Sequence, residues 1–155
     1  MDAHVESHRT LGYALKRLQQ TLRARMDAAL APFELTAPQY AVLALLAAQP
    51  GISNAELARR SFVTAPTMIR IVTGLETAGL LARNPHEDGG RTQPARLTDA
   101  GEQRLRAAAP SVQALEEVLL QAAEQAPPEL ILDWLNTAAD RLVANRPRLA
   151  VSGPG

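Results

Sequence analysis

The chain has 155 residues, the size of one domain with or without helical extensions, and 46% of them are hydrophobic, which is enough for a buried core. Aromatic residues make up only 3%, so leucine, alanine, valine and isoleucine must build that core. The chain has no cysteine, which excludes disulfides and thiol chemistry and is consistent with a cytoplasmic protein. No apolar run is long enough to cross a membrane, and the N-terminus is too polar for a signal peptide, so neither is expected.

The net charge is zero, but the charges are unevenly distributed along the chain. Residues 57–96 contain six arginines against three acidic residues, whereas residues 107–155 contain three arginines against six acidic residues. A basic middle with an acidic end is typical of a domain with one anion-facing side. An ordinary solvated surface would give the same distribution, so charge alone does not decide.

Two helices are predicted in the first third of the chain. From residue 7 to residue 30, leucine and methionine recur at steps of three and four, which indicates a long amphipathic helix with one apolar stripe. A second helix begins after Thr36, its predicted N-cap, with Pro38 in the first turn, and runs through PQYAVLALLAA. It is apolar on nearly every side, so we expect it at the centre of the core.

Two shorter helices follow, separated by a tight turn. Ser53 and Glu56 have the spacing of a capping box at the start of the first one, SNAELARR. Thr64 is predicted to cap the second, which continues through TMIRIVTGLETAG and ends at Gly79. The predicted inner face of this second helix consists of Met68, Ile69, Val72 and Leu75. The predicted outer face consists of Thr64, Thr67, Arg70, Thr73 and Thr77.

The stretch NPHEDGGRTQPARLT lies between two short predicted strands, within LLAR and PARLT, and carries two glycines at its tip. A phosphate-binding loop is not expected, because the spacing G-x-x-x-x-G-K-[ST] is absent and no helix starts directly after the glycines. Two short helices followed by a hairpin predict a winged helix-turn-helix. A generic helical hairpin is the alternative for the two helices taken alone.

The last third of the chain is predicted to be helical. Thr98 can cap a long helix in which Pro110 is expected to cause a kink or a break, and a final helix follows the prolines at 127 and 128. One copy of the chain has little to cover the apolar stripes of the first and last helices, so we expect a homodimer that buries roughly 2,000 Å² or more. The expected divisions are 1–34 and 106–155 for dimerisation and 35–105 for the winged helix-turn-helix.

Four segments in this order resemble the MarR family, the multiple-antibiotic-resistance type of bacterial transcriptional regulator: LTAPQYAVLALLA, SNAELARR, TMIRIVTGLETAGLLAR and RLTDAG. The resemblance implies a mainly α-helical winged-helix dimer with a small β-hairpin wing. It also implies a repressor of a nearby gene that releases DNA when a small phenolic or otherwise anionic molecule binds. We therefore expect a sequence-specific regulator of double-stranded DNA. A winged-helix protein that uses the fold for protein contacts is the alternative.

The helix that begins after Thr64 is the expected DNA-recognition helix. In a two-fold dimer, two copies of it reach successive major grooves about 34–36 Å apart, which predicts a palindromic operator. Thr64 and Thr67 can bond phosphates or base edges through their hydroxyls. Ala65 and Pro66 can touch thymine methyl groups or shape the turn. Arg70 matches an arginine of the family's motif and can read guanine, clamp a phosphate or form a salt bridge within the domain.

The hairpin of the family usually carries Asp-x-Arg, whose arginine enters the minor groove and whose aspartate helps to hold the loop. Arg91 stands at the position of that arginine, whereas Asp88 is one residue too far away because of the additional glycine. The resemblance thus implies a minor-groove role for Arg91 and leaves the bracing role of Asp88 open. Arg83 is expected to support the root of the hairpin.

A small-molecule effector is expected where the dimerisation helices meet the winged helix. Tyr13, Arg17 and Tyr40 are the candidates there, since tyrosine can stack on a phenol and arginine can pair with a carboxylate. For each of them, a place at the edge of a packed core is the alternative.

Metal binding and catalysis are not expected. His4, His8 and His86 form a nominal zinc set, but two of them lie close to the N-terminus, where chains fray. No nucleophile–base or paired-carboxylate arrangement stands out, so we expect neither a cofactor nor enzyme activity.

Overall fold

The computed structural model describes residues 10–83, 95–123 and 126–145. Within these ranges the chain forms six α-helices and one antiparallel two-stranded sheet, in which Leu81 pairs with Leu97. The elements are α1 Leu11–Leu30, α2 Ala37–Ala48, α3 Asn54–Arg60, α4 Ala65–Thr77, β1 Leu81–Ala82, β2 Arg96–Leu97, α5 Asp99–Ala122 and α6 Pro128–Ala144. The predicted mainly helical architecture with a small hairpin is therefore confirmed.

The chain divides into two compact units, Met1–Leu115 and Glu116–Gly155, and the core lies in the first. Helix α2 packs against α1, α4 and β2, which agrees with the expectation that it is central. The largest fully buried side chains are Leu30, Val42, Leu43, Leu57, Met68, Val72 and Leu75. Because aliphatic side chains supply this core, the low aromatic content costs the fold little.

Helix starts in the first unit are set by local side-chain caps, as the sequence indicates. Thr36 and Gln39 form a complete capping box at α2, in which each side chain bonds the backbone N–H of the other residue. The box predicted at Ser53 and Glu56 forms only in part. Ser53 accepts the N–H of Glu56, but the Glu56 carboxylate is held by Arg59.

Two other expectations need correction. Of the kink or break expected at Pro110, the break is absent, because α5 is continuous from Asp99 to Ala122. Proline removes one backbone hydrogen bond of the helix, but the turns on both sides supply enough others to keep the segment helical. The two strands are only two residues long, shorter than the LLAR and PARLT stretches suggest.

The second unit contains the end of α5 and all of α6. Helix α6 has no buried residue, and its large apolar side chains Leu130, Leu132, Trp134, Leu135, Leu142 and Val143 are all exposed. Among the described helices, none is by itself long and apolar enough to cross a membrane. Two consecutive helical segments together are long and apolar enough, but they meet at a bend of 75°. They are Leu11–Phe33, which consists of α1 and the short 3-10 helix Ala31–Phe33, and Ala37–Ala48, which is α2.

Candidate nucleic-acid interface

Helix α4 presents a polar, capped N-terminus to solvent. The Thr64 side chain accepts the N–H of Thr67 at 3.4 Å, and the two hydroxyl oxygens lie 2.9 Å apart. Ala65 and Pro66 form the exposed first turn, and Arg70 is exposed one turn further on. The predicted DNA-contacting residues of this helix therefore lie together on its accessible side, with Thr67 half-buried.

The opposite face of α4 anchors it in the core. Met68, Val72 and Leu75 are buried, as predicted, but Ile69 is not: 53% of its surface is exposed. The helical period explains the difference, because Ile69 lies four residues from Ala65 and from Thr73 and so belongs to their side of the helix. The prediction of an inward Ile69 was wrong.

Helix α3 and the following turn hold α4 in position. Val63 donates to the carbonyl of Ala58 at 3.1 Å and Phe62 donates to that of Arg59 at 3.3 Å, which is the hydrogen-bond pattern of a Schellman turn. Phe62 has a positive φ of 54° and is 97% exposed. The compact α3–α4 pair that results is a helix-turn-helix, as predicted.

The hairpin is tied to α4 by an ion pair at its root. Arg83, directly after β1, places its Nε 2.6 Å from Oε1 of Glu76 in the last turn of α4, and both side chains are about three-quarters buried (24% and 27% exposed). The contact is an ion pair without the alignment of a good hydrogen bond. The pair links the direction of α4 to the start of the hairpin.

Several predicted residues lie outside the described part of the chain. They are Arg91 and Asp88 in the hairpin loop, together with His4, His8 and His86. Among the described residues, no group of three or more His, Cys, Asp or Glu side chains is placed to hold a metal ion.

The three effector candidates lie in different surroundings. Tyr13 is about half-exposed on α1, and Arg17, one turn further, lines a shallow hollow of about 310 Å³ with Ala14, Leu18 and Thr21. Tyr40 on α2 is half-buried against the core. The structure does not place the three side chains in one described cavity.

A second hollow was not found from the sequence. It has a volume of about 350 Å³ and lies between the end of α2, β2 and the first half of α5. Leu46, Leu97 and Leu105 give it an apolar lining, and the charged residues Arg96, Glu102 and Arg106 stand beside them. Only the tertiary contact of three elements creates it, so no local motif could have revealed it.

Comparison with known proteins identifies the family. The MarR family profile matches residues 35–92. The transcriptional repressor CouR, solved on a 23-mer DNA duplex, superposes with a TM-score of 0.74 at 32% identity, over 84% of this chain and 92% of that one. The chain belongs to the MarR family. The predicted family and the winged-helix fold are thereby confirmed.

Two further regulators of transcription are similar to this chain. The HTH-type transcriptional repressor Rv2887 of Mycobacterium tuberculosis strain H37Rv is 44% identical over 91 residues, which are 59% of this chain and 66%, just under two thirds, of that relative. The structure of PcaV from Streptomyces coelicolor in complex with its natural ligand has a TM-score of 0.77 at 28% identity, over 90% of this chain and 98% of that one. The matched proteins are regulators of transcription.

Proposed function

We propose that this MarR protein is a sequence-specific DNA-binding transcriptional repressor. The main support is the accessible side of α4, which carries threonines and Arg70, belongs to a helix-turn-helix and is followed by a hairpin. The chain is also similar to a repressor that was solved on DNA. The near-zero net charge does not oppose this function. DNA contact depends on the local surface, and residues 57–96 carry an excess of three positive charges (six Arg against three acidic residues).

Each exposed group at the start of α4 has a role in this proposal. The hydroxyls of Thr64 and Thr67 bond each other, and the one whose proton is left over donates to a phosphate or a base edge, while Ala65 and Pro66 let the helix approach the bases closely. Arg70 contacts a phosphate or a guanine. No carboxylate among the described residues pairs with Arg70, which favours a DNA contact over a salt bridge within the domain.

The hairpin supplies the second contact in this proposal. Arg91 enters the minor groove, where a narrow groove concentrates negative potential that favours a guanidinium. Arg83 supports the loop from its root through Glu76.

The chain acts as a homodimer in this proposal, through segments 1–34 and 106–155. On α1, Leu11, Leu15 and Leu18 leave between 40% and 68% of their surface in water, and α6 buries none of its residues. Apolar exposure on this scale marks a protein interface. Two-fold symmetry then presents two copies of α4 to a palindromic operator.

A small anionic or phenolic effector releases the DNA in this proposal. Rv2887 has been solved with salicylic acid, with a TM-score of 0.61, and CouR with p-coumaroyl-CoA, with a TM-score of 0.73. In this chain, Tyr13, Arg17 and Tyr40 are the proposed contacts, and Arg17 is the cation that would pair with a carboxylate. The protein is proposed to act in the cytoplasm and to catalyse no reaction.

The decisive experiment is fluorescence anisotropy of the full-length protein on DNA from upstream of its own gene. We expect tight binding that resists a scrambled competitor, weakens steeply with salt and is reversed by salicylate. Arg70→Ala should weaken binding by about 1–3 kcal/mol without a change in melting temperature. Arg25→Ala, an exposed arginine on α1, is the control for the loss of one positive charge, and analytical ultracentrifugation checks that this variant is still a dimer.

Equal, weak binding to operator and scrambled DNA would contradict sequence-specific repression. It would favour the alternative use of the winged helix for protein contacts. Equal losses in Arg70→Ala and Arg25→Ala would instead show that the effect of Arg70 is one of general charge.

A further inference from the structure

The accessible side of α4 carries an apolar row that the fold does not use. Ala65, Ile69 and Thr73 are spaced by four residues, so they share one side of the helix, and all three are exposed. Ile69 leaves 53% of its surface in water, whereas Met68, its neighbour in sequence, is fully buried. Pro66, also exposed, follows Ala65 in the first turn of the helix.

Folding does not explain an isoleucine at this position. Isoleucine is a poorer helix former than alanine or leucine, because its β-branched side chain is restricted to one rotamer in a helix. A half-exposed side chain also gains only part of the free energy that a core isoleucine gains on burial. Ile69 is fully stabilised only when another apolar group covers it.

The surroundings of Ile69 limit which group can cover it. A protein partner needs a broad apolar patch, but Ile69 is the one large exposed apolar side chain of α4, and Arg70 and Thr73 of the same helix are polar. The major groove of DNA offers the matching set. Its phosphates accept hydrogen bonds, its base edges accept or donate them, and its one apolar group is the C5 methyl of thymine.

We propose, on the basis of the function proposed above, that Ile69 determines specificity by packing against the C5 methyl of a thymine in each half-site. Residues four apart are separated by about 6 Å along a helix, which is close to two base steps of about 3.4 Å. The operator is read through methyl groups as well as hydrogen bonds.

The test uses deoxyuridine, which pairs as thymine does but lacks the C5 methyl. An operator is first selected from a random duplex pool with the full-length protein. Each thymine of a half-site is then replaced singly, and symmetrically in both half-sites, and anisotropy gives the affinity. Deoxyuridine outside the half-sites is the control. One methyl should be worth about fourfold in affinity, and the symmetric pair about fifteenfold.

The variant Ile69→Ala tests whether the loss of affinity caused by deoxyuridine depends on this side chain. Ile69 is half-exposed, so the variant should fold, which a circular dichroism melt checks. Its affinity for the thymine operator should fall, and deoxyuridine at the contacted position should cost it little further, since the partner of the methyl is already gone.

Three outcomes would overturn the inference at different levels. If no deoxyuridine in either half-site weakens binding to the selected operator, the methyl contact is wrong while the repressor function stands. If the penalty is equal for the wild type and for Ile69→Ala, another side chain reads the methyl. If the full-length protein enriches no sequence, the proposed function is wrong and the inference falls with it.

Discussion

The turns that end α3 and α4 have the same backbone hydrogen bonds but very different residues and surroundings. In the first, Phe62 and Val63 donate to Arg59 and Ala58; in the second, Gly79 donates to Glu76 at 2.9 Å and the following residue closes the same pattern. Both central residues adopt positive φ, 54° for Phe62 and 71° for Gly79. Glycine adopts this conformation without steric cost, whereas phenylalanine does not.

The second turn is enclosed by the start of α5. The Thr98 hydroxyl donates to the carbonyl of Gly79 at 2.6 Å, and the Thr98 backbone N–H donates to the carbonyl of Leu80 at 3.1 Å. Gly101 is buried against the same Leu80 carbonyl, so closely that a side chain there would overlap it. The Phe62 side chain, in contrast, is 97% exposed. One turn is locked into the fold, and the other offers its side chain to solvent.

The same backbone motif therefore serves two separate purposes in this molecule. The Gly79 turn fixes where the hairpin leaves α4, because the carbonyls of Gly79 and Leu80 accept hydrogen bonds from Thr98, the residue before α5. The Phe62 turn fixes only the angle between α3 and α4, because Val63 packs against the core while the Phe62 side chain is almost fully exposed to solvent. Substitutions at the two turns should therefore differ in size and in sign.

The largest effect is expected from Gly101→Ala. The added Cβ would meet the Leu80 carbonyl, which belongs to the backbone and cannot rotate away, so the turn and α5 must separate. We expect a loss of about 3 kcal/mol in the free energy of unfolding, measured by urea denaturation.

Gly74→Ala is the matched control for that substitution. Gly74 lies within α4, and the nearest atom to a new Cβ is Nε2 of Gln39 at 4.0 Å. Alanine there should raise the free energy of unfolding by about 0.5–1 kcal/mol, because alanine has the higher helix propensity. Equal losses at both glycines would contradict the close approach of α5 to the turn.

A smaller loss is expected from Thr98→Val. Valine keeps the shape of threonine but loses the bond to the Gly79 carbonyl and the cap on the Gly101 N–H, which lies 3.1 Å from the hydroxyl oxygen. The expected loss is about 1–2 kcal/mol in the same assay. Thr77→Val, at an exposed threonine whose hydroxyl bonds its own helix, should change stability by less than about 0.5 kcal/mol. A loss of stability at Thr77 as large as that at Thr98 would argue against a stabilising role for the hydrogen bonds of the Thr98 hydroxyl.

The sequence predicts the parts of this molecule that depend on neighbouring residues. Thr36 and Thr64 cap helices because a cap requires only a side chain and a backbone N–H three residues later. The order of elements and the family followed from such local signals. Gly79 was likewise predicted as a helix end, because glycine at that position is a local signal.

The remaining features depend on tertiary geometry or on backbone conformation. Ile69 was placed inside because it is apolar, although the helical period assigns it to the side of Ala65. The pair of Glu76 and Arg83 spans a turn whose path is set by α5. Nothing in the residue type of Phe62 indicates a positive φ, because the Schellman turn imposes that conformation through hydrogen bonds of its neighbours.

The smallest effect at the two turns, a gain in stability, is expected from Phe62→Gly. Relief of the left-handed strain contributes about 1 kcal/mol, the greater freedom of glycine in the unfolded chain removes about 0.5 kcal/mol, and an exposed side chain loses no burial. Urea denaturation should therefore show a gain of about 0.5 kcal/mol, whereas Gly79→Ala should show a loss of about 1 kcal/mol. A lower urea midpoint for Phe62→Gly with an unchanged slope would contradict the strain argument. If Phe62→Gly is more stable but binds DNA less tightly, the strained backbone at Phe62 contributes to DNA binding. If its affinity for DNA is unchanged, the strain has no role in binding and the fold tolerates it.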